Sequence, residues 1–163
     1  MYLVEDEIIL PHGEKTTYIY EKGRGAAATL ILQGDKVLLS YQYRYPLDRW
    51  IYDMPGGGIG ENETAEEAAR RECQEEVGVT PKELIHLATF YTNPARTAWP
   101  MDVFFCDTVE TTAPENILEQ KPSEVVHRAL VPVKELEKLV RSGGIVDPSL
   151  LIAWHSARDR KLL

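Results

Sequence analysis

Gly57–Val79 reads GGIGENETAEEAARRECQEEVGV, and this stretch decides the reading of the whole chain. It sets a glycine-rich loop directly ahead of a well-marked helix. Thr64 and Glu67 have capping-box spacing at the start, Gly78 suits the C-terminal cap, and Pro81 prevents continuation. Helical geometry puts Glu72, Glu75 and Glu76 within about 100° of arc on one face. Ala65 and Ala68 precede them there, so open space beside the carboxylates is expected, as a bound ligand would need. Ala69, Cys73 and Val77 form the adjoining apolar stripe, which should pack on a sheet. Three carboxylates so close repel one another unless a cation sits among them, and hard divalent ions favour such oxygen ligands. A loop without side chains lets a carbonyl approach a metal and N–H groups approach phosphate. Arg71 can pair with a carboxylate and hold the array. A lone E-x-x-E-E run is most often a solvated helix face. The glycines, the arginine and the caps at fixed offsets favour a site.

Working outward, residues 2–9 and 15–21 read as strands joined by the turn HGEK. AAATLILQGDKVLLSYQYR reads as a β-hairpin turning at Gly34-Asp35, its first strand apolar enough to be buried on both faces. Trp50–Asp53 is a short strand entering the glycine loop. Residues 83–91 and Met101–Val109 read as strands, as does Glu124–Val131. Thr111–Ser123 is polar, holds two prolines and reads as a loop. Pro132–Arg141 and Asp147–Arg160 read as helices. Mixed strands and helices without repeats or linkers predict an α/β fold, a mixed sheet packed between helices, in a single domain over residues 1–163.

The chain has 163 residues, enough for one domain with its own core. Its net charge of -8 argues against binding a nucleic-acid backbone, though a bound metal can reverse the local field for a small anion. The start MYLVEDE has no basic region followed by an apolar run, and no stretch approaches membrane-spanning length. Cys73 and Cys106 are not spaced as metal ligands and read as free thiols in a reducing compartment, so a cytoplasmic protein is expected. The four histidines, His12, His86, His127 and His155, are scattered without metal-ligand spacing.

The central stretch resembles the Nudix box, G-x5-E-x7-R-E-U-x-E-E-x-G-U with U a bulky apolar residue. Gly57, Glu63, Arg71, Glu72, Glu75, Glu76, Gly78 and Val79 all fit, and Cys73 stands where an aliphatic residue is usual. The resemblance implies an α/β/α sandwich that hydrolyses a nucleoside diphosphate linked to another moiety. It implies Mg²⁺, or Mn²⁺, held by Glu72, Glu75, Glu76 and the Gly56 carbonyl. Glu63 and Arg71 would be partners inside the motif. QYRYP at Gln42–Pro46, Trp50, Asp53 and Pro94, sixteen residues after Gly78, are similar to the ADP-ribose and nucleoside-diphosphate-sugar pyrophosphatase branch. Two departures stand out. The loop after Pro94 lacks the glutamate common in that branch and carries Arg96, Trp99 and Asp102 instead, and Asp53 replaces a usual glutamate.

Candidate substrate-binding residues are Arg44, Tyr43, Trp50, Asp53 and Arg96. Arg44 offers a planar fork to phosphate or ribose. Tyr43 and Trp50 offer faces to a base, although tyrosines here equally suit a core or subunit interface. The resemblance implies a loop carboxylate that orients the attacking water, with Glu124 the best match and Glu119 and Glu115 as alternatives. It also implies a homodimer, with the N-terminal ribbon of residues 1–22 crossing to the partner. Cleavage of nucleoside triphosphates or dinucleoside polyphosphates is the alternative chemistry. A regulatory module binding a nucleotide sugar without turnover is the alternative class, and it would be expected to have lost box carboxylates that are all present here.

Overall fold

The computed structural model describes residues 2–111 and 126–163. Strands β1 (Tyr2–Ile9) and β2 (Lys15–Lys22) form a separate antiparallel ribbon. The main sheet holds β3 (Ala26–Gln33), β4 (Lys36–Arg44), β5 (Arg49–Asp53), β6 (Gly56–Gly58), β8 (Ile85–Phe90), β9 (Met101–Cys106) and β11 (Val126–Pro132). Its order is β11-β4-β3-β9-β8, with β5 also paired to β4 and β6 to β3. The β3–β9 pair is parallel and the others are antiparallel, so the sheet is mixed. Strands β7 (Val79–Pro81) and β10 (Val109–Thr111) form a small second pair. Helices α1 (Ala65–Val77), α2 (Val133–Arg141) and α3 (Pro148–Asp159) complete the chain.

The alternation along β3 explains the layering. Ala28 and Leu30 join Leu136 of α2 and Leu150, Ala153 and Trp154 of α3 in the larger core. Ala27 packs with Ala68 and Ala69 of α1, and Ile31 with Cys73 and Val77. Successive side chains of a strand point to opposite faces, so α1 covers one face and α2 and α3 the other, an α/β/α sandwich. Leu30 and Ile31 are fully buried, each contributing about 1.5–3 kcal/mol through area removed from water. The Gly34-Asp35 turn is as expected: Gln33 pairs with Lys36, and Gly34 has φ +65.

Two elements differ from expectation. The glycine loop is a strand, with Gly56, Gly57 and Gly58 opposite Ala28, Ala27 and Ala26. A methyl added at Gly56 would stand 2.5 Å from the Ala28 Cβ, so a residue with a side chain could not pass there. The strand expected over Met101–Val109 ends at Cys106, and Val109 pairs away from the main sheet with Pro81. The last strand is described from Val126 onward, and Glu124 lies outside the described residues.

Candidate active site

The acidic helix is fixed at both ends by local chemistry. Thr64 Oγ1 accepts from the Glu67 N–H while the Glu67 carboxylate accepts from the Thr64 N–H, and Gly78 closes the helix at φ 70. This phasing directs Ala68, Ala69, Glu72, Cys73 and Val77 inward. Ala68 is therefore fully buried against Ala27 and Phe104. The open space expected beside the carboxylates on that face is absent. The small residues serve instead to bring the helix down onto the sheet.

Glu72 is carried into the interior by the same phasing and is only 5% exposed. The cation among the carboxylates is the Arg71 guanidinium. Its Nη1 lies 2.6 Å from Glu72 Oε1 and 3.4 Å from Glu75 Oε2. Its Nε and Nη2 donate to the two Glu63 oxygens at 2.8 and 3.1 Å, and Nη2 also donates to the Gly58 carbonyl at 3.0 Å. The Glu63 carboxylate, with that of Glu72, holds Arg71 more firmly protonated than an ordinary guanidinium. In turn Arg71, with the Gly60 N–H, holds the Glu63 carboxyl below the usual range. Glu76 Oε2 accepts from the Gly56 N–H at 3.2 Å. The glycine strand thus lies against both Glu72 and Glu76.

The donor set fits a hard divalent cation: three carboxylates on one helix beside a strand free of side chains. Among the described residues, no three acidic, histidine or cysteine side chains converge into a ready-made cage. Glu72 and Glu75 share Arg71, and holding an ion between them would require that guanidinium to yield.

A cleft of about 240 Å³ opens in front of the glycine strand. Gly56 and Gly57 line it together with Arg44, Asp53, Asp147, Ala26, Ala28, Met101 and Trp99. Arg44 Nη2 lies 2.5 Å from Asp53 Oδ2, and Gln42 Nε2 donates to the same oxygen at 3.2 Å. The Met54 N–H donates to Asp53 Oδ1. Asp147 caps α3 by accepting from the Leu150 N–H at 2.7 Å. Burial, reinforced by the nearby Asp53 charge, pushes the Asp147 carboxyl up to about 7.

Of the residues singled out for substrate, Arg44 and Asp53 meet at this cleft. Tyr43, Trp50 and Arg96 do not line it. Tyr43 donates its hydroxyl to Asp48 at 2.5 Å. The Trp50 ring stacks on Tyr41 at 5.3 Å and on His127 at 5.1 Å, a cross-strand aromatic cluster over β5, β4 and β11. Arg96 is exposed on the loop after β8, its carbonyl accepting from the Glu21 N–H of the ribbon. Glu115, Glu119 and Glu124 lie outside the described residues. Sequence reasoning missed Asp147 as part of the site. Its capping role before Pro148 was legible, but its nearness to Asp53 is created by the fold.

Comparison with known proteins agrees with this architecture. The NUDIX domain model matches residues 22–150. The ADP-ribose pyrophosphatase of Bacillus subtilis (strain 168) is 30% identical over 146 residues, covering 89% of this chain and 78% of that one. A CMP-5'-(N-acetyl-N-hydroxy-3-aminopropyl)phosphonate hydrolase of Streptomyces rubellomurinus is 26% identical, covering 86% of this chain and 66% of that one. Among solved structures, an ADP compounds hydrolase superposes with a TM-score of 0.75 at 18% identity, covering 96% of this chain and 84% of that one, a likeness of fold. The glycine strand, the capped acidic helix and a family model spanning most of the chain lead to one assignment: the chain belongs to the Nudix hydrolase family.

Proposed function

We propose that this Nudix hydrolase cleaves the pyrophosphate bond of ADP-ribose or a related nucleoside diphosphate sugar, releasing a nucleoside monophosphate and a sugar phosphate. The observation that carries the reading is the nearly buried Glu72, with Glu75 and Glu76 on the same turns, set against a glycine strand that lines the cleft. The likeness to an ADP-ribose pyrophosphatase over 89% of the chain supports the substrate class.

Glu72, Glu75, Glu76 and the Gly56 carbonyl would hold Mg²⁺ or Mn²⁺. Such an ion neutralises the diphosphate and makes a bound water acidic. The chain's own residues do the rest. Arg71 pairs with Glu72 and Glu75 and fixes their rotamers. Arg44 is pinned by Asp53 through one nitrogen, and its remaining N–H groups suit a phosphate oxygen. A carboxylate from the segment holding Glu115, Glu119 and Glu124, with Glu124 preferred, would orient the water. The protein's net charge of -8 repels a diphosphate, so binding should depend on divalent cations. A homodimer joined through the β1–β2 ribbon belongs to the same reading. Leu3, Ile9 and Ile19 share one face by register and are 72%, 68% and 57% exposed. An isolated two-stranded ribbon is marginal in water.

The test is a panel of nucleoside diphosphate sugars, dinucleotides and triphosphates with Mg²⁺ and identification of products. ADP-ribose yielding AMP and ribose 5-phosphate supports the reading. Turnover of triphosphates alone, or binding without turnover of any member, overturns it.

A further inference from the structure

The loop between β8 and β9 forms one wall of the cleft, and the ribbon fastens it from outside. Thr92 and Trp99 stand near its two ends and line the cavity with Gly56, Gly57 and Arg44. Between them the chain turns tightly. The Arg96 and Thr97 N–H groups both donate to the Asn93 carbonyl, as does Thr97 Oγ1 at 2.9 Å. These bonds fix the shape of the turn. Its place against the cleft is set by β2. The Glu21 N–H donates to the Arg96 carbonyl and the Ala98 N–H to the Glu21 carbonyl, each at 2.8 Å, so Thr97 runs parallel beside Glu21. The Tyr18 hydroxyl donates to the Ala95 carbonyl at 2.5 Å, a contact across 77 positions of sequence. The Gly23 backbone lies against the Trp99 ring, where an added methyl would stand 3.6 Å from Cδ1 and Cγ. Among the described residues, the ribbon pairs with no strand of the main sheet. Its attachment and the placing of this cleft wall therefore depend on the same contacts.

We propose that Tyr18 is a positioning residue for the cleft: by holding the Ala95 carbonyl it keeps the loop wall where the substrate is received, without touching the substrate itself. The inference rests on the cleft being the substrate site, as read above. Tyr18 is the side-chain handle of this attachment, because the bonds made at Glu21 are backbone bonds that almost any residue can form. Tyr20 supplies the contrast. It lies two residues on, on the same face of β2, and gives its hydroxyl to Asp6 inside the ribbon at 3.0 Å. One tyrosine hydroxyl thus reaches the loop and the other does not. Loosening the wall makes binding supply the order that the Tyr18 bond supplies beforehand, and that cost falls on KM.

The test compares Tyr18→Phe and Tyr20→Phe with the wild type. Both substitutions keep the ring and remove only the hydroxyl, and thermal midpoints establish that each variant is folded. The values of kcat and KM for ADP-ribose with Mg²⁺ are measured separately, and hydrogen–deuterium exchange is followed in the peptide spanning residues 92–100. Tyr18→Phe is expected to raise KM roughly three- to fivefold with kcat within about twofold of wild type, and to speed exchange at Arg96, Thr97 and Ala98. Tyr20→Phe is expected to match the wild type in both readouts. A Tyr18→Phe variant that equals Tyr20→Phe in KM, loses activity in kcat alone, or leaves loop exchange unchanged would overturn the role of Tyr18. A wild type that does not turn over ADP-ribose would sink the substrate reading alone. The loop exchange, with KM for whichever panel member is turned over, would then still decide the role of Tyr18.

Discussion

Gly57 and Glu72 are in such close approach that a methyl on Gly57 would lie 2.6 Å from the Glu72 carboxyl carbon. Gly57→Ala must therefore displace either the carboxylate or the strand. We expect turnover to fall at least about a hundredfold, with a stability loss of about 1–3 kcal/mol. Gly58→Ala is the internal control, because a methyl there meets nothing within 4 Å. Steady-state kinetics and thermal unfolding of the two variants check the contrast. Equal behaviour would show that the strand is loosely seated.

Arg71 joins Glu63, Glu72, Glu75 and the Gly58 carbonyl in one network. Arg71→Ala leaves the nearly buried Glu72 without its cation and should cost about 2–3 kcal/mol in denaturant unfolding. Arg71→Lys should recover little, since one ammonium cannot reproduce the fork. The pH dependence follows from Glu63, whose folded value lies below its ordinary 4.5, chiefly through Arg71. That contribution is fully present above 4.5 and is lost as pH falls through the lowered folded value. Arg71→Ala should flatten this acid limb, which urea titrations from pH 7 to 3 would measure.

Glu76 accepts from the Gly56 N–H at 3.2 Å, and a glutamine oxygen can accept the same bond. Glu76→Gln should preserve the fold while cutting turnover by about two orders of magnitude or more. EDTA should abolish turnover of the wild type, and Mg²⁺ or Mn²⁺ should restore it. Wild-type rates in the variant would remove Glu76 from the proposed ligand set.

The box was legible from sequence because its information is local. Thr64, Glu67 and Gly78 set the helix boundaries, and helical phase alone put Glu72, Glu75 and Glu76 together. What the phase could not give was which part of that face is buried, so Ala68 read as open space when it is core. The glycine strand was hidden for a different reason. Three glycines carry no alternation, and their partner is the distant segment Ala26–Ala28. The cluster of aromatics around Trp50 was visible as composition. Whether those rings face a base or one another is decided by strand register, which pairs Tyr41 with both Tyr52 and His127.

The ribbon presents Leu3, Ile9 and Ile19 on one face, exposed among the described residues. If this face joins two subunits, Leu3→Asp with Ile19→Asp should convert a dimer to a monomer in analytical ultracentrifugation. Because Glu21 of the ribbon also holds the backbone at Arg96 and Ala98, catalytic efficiency should drop with the dimer. A wild type that sediments as a monomer at micromolar concentration would dismiss the interface.

Asp147 offers a test of the cleft that does not depend on substrate. Its carboxyl is pushed from 3.8 up to about 7, first by burial and then by the Asp53 charge. The folded state therefore binds a proton that the unfolded chain has already released between those values. The contribution favours folding below about 4 and is lost as pH rises through about 7. Asp147→Asn keeps a side-chain oxygen to cap Leu150 and removes the charge. The variant should match the wild type near pH 4 and exceed it by about 1 kcal/mol or more at pH 8. Urea unfolding across this range measures the difference. A constant offset between the two proteins would mean that Asp147 titrates as an ordinary carboxylate and that the Asp53–Asp147 pair is better solvated than its burial implies.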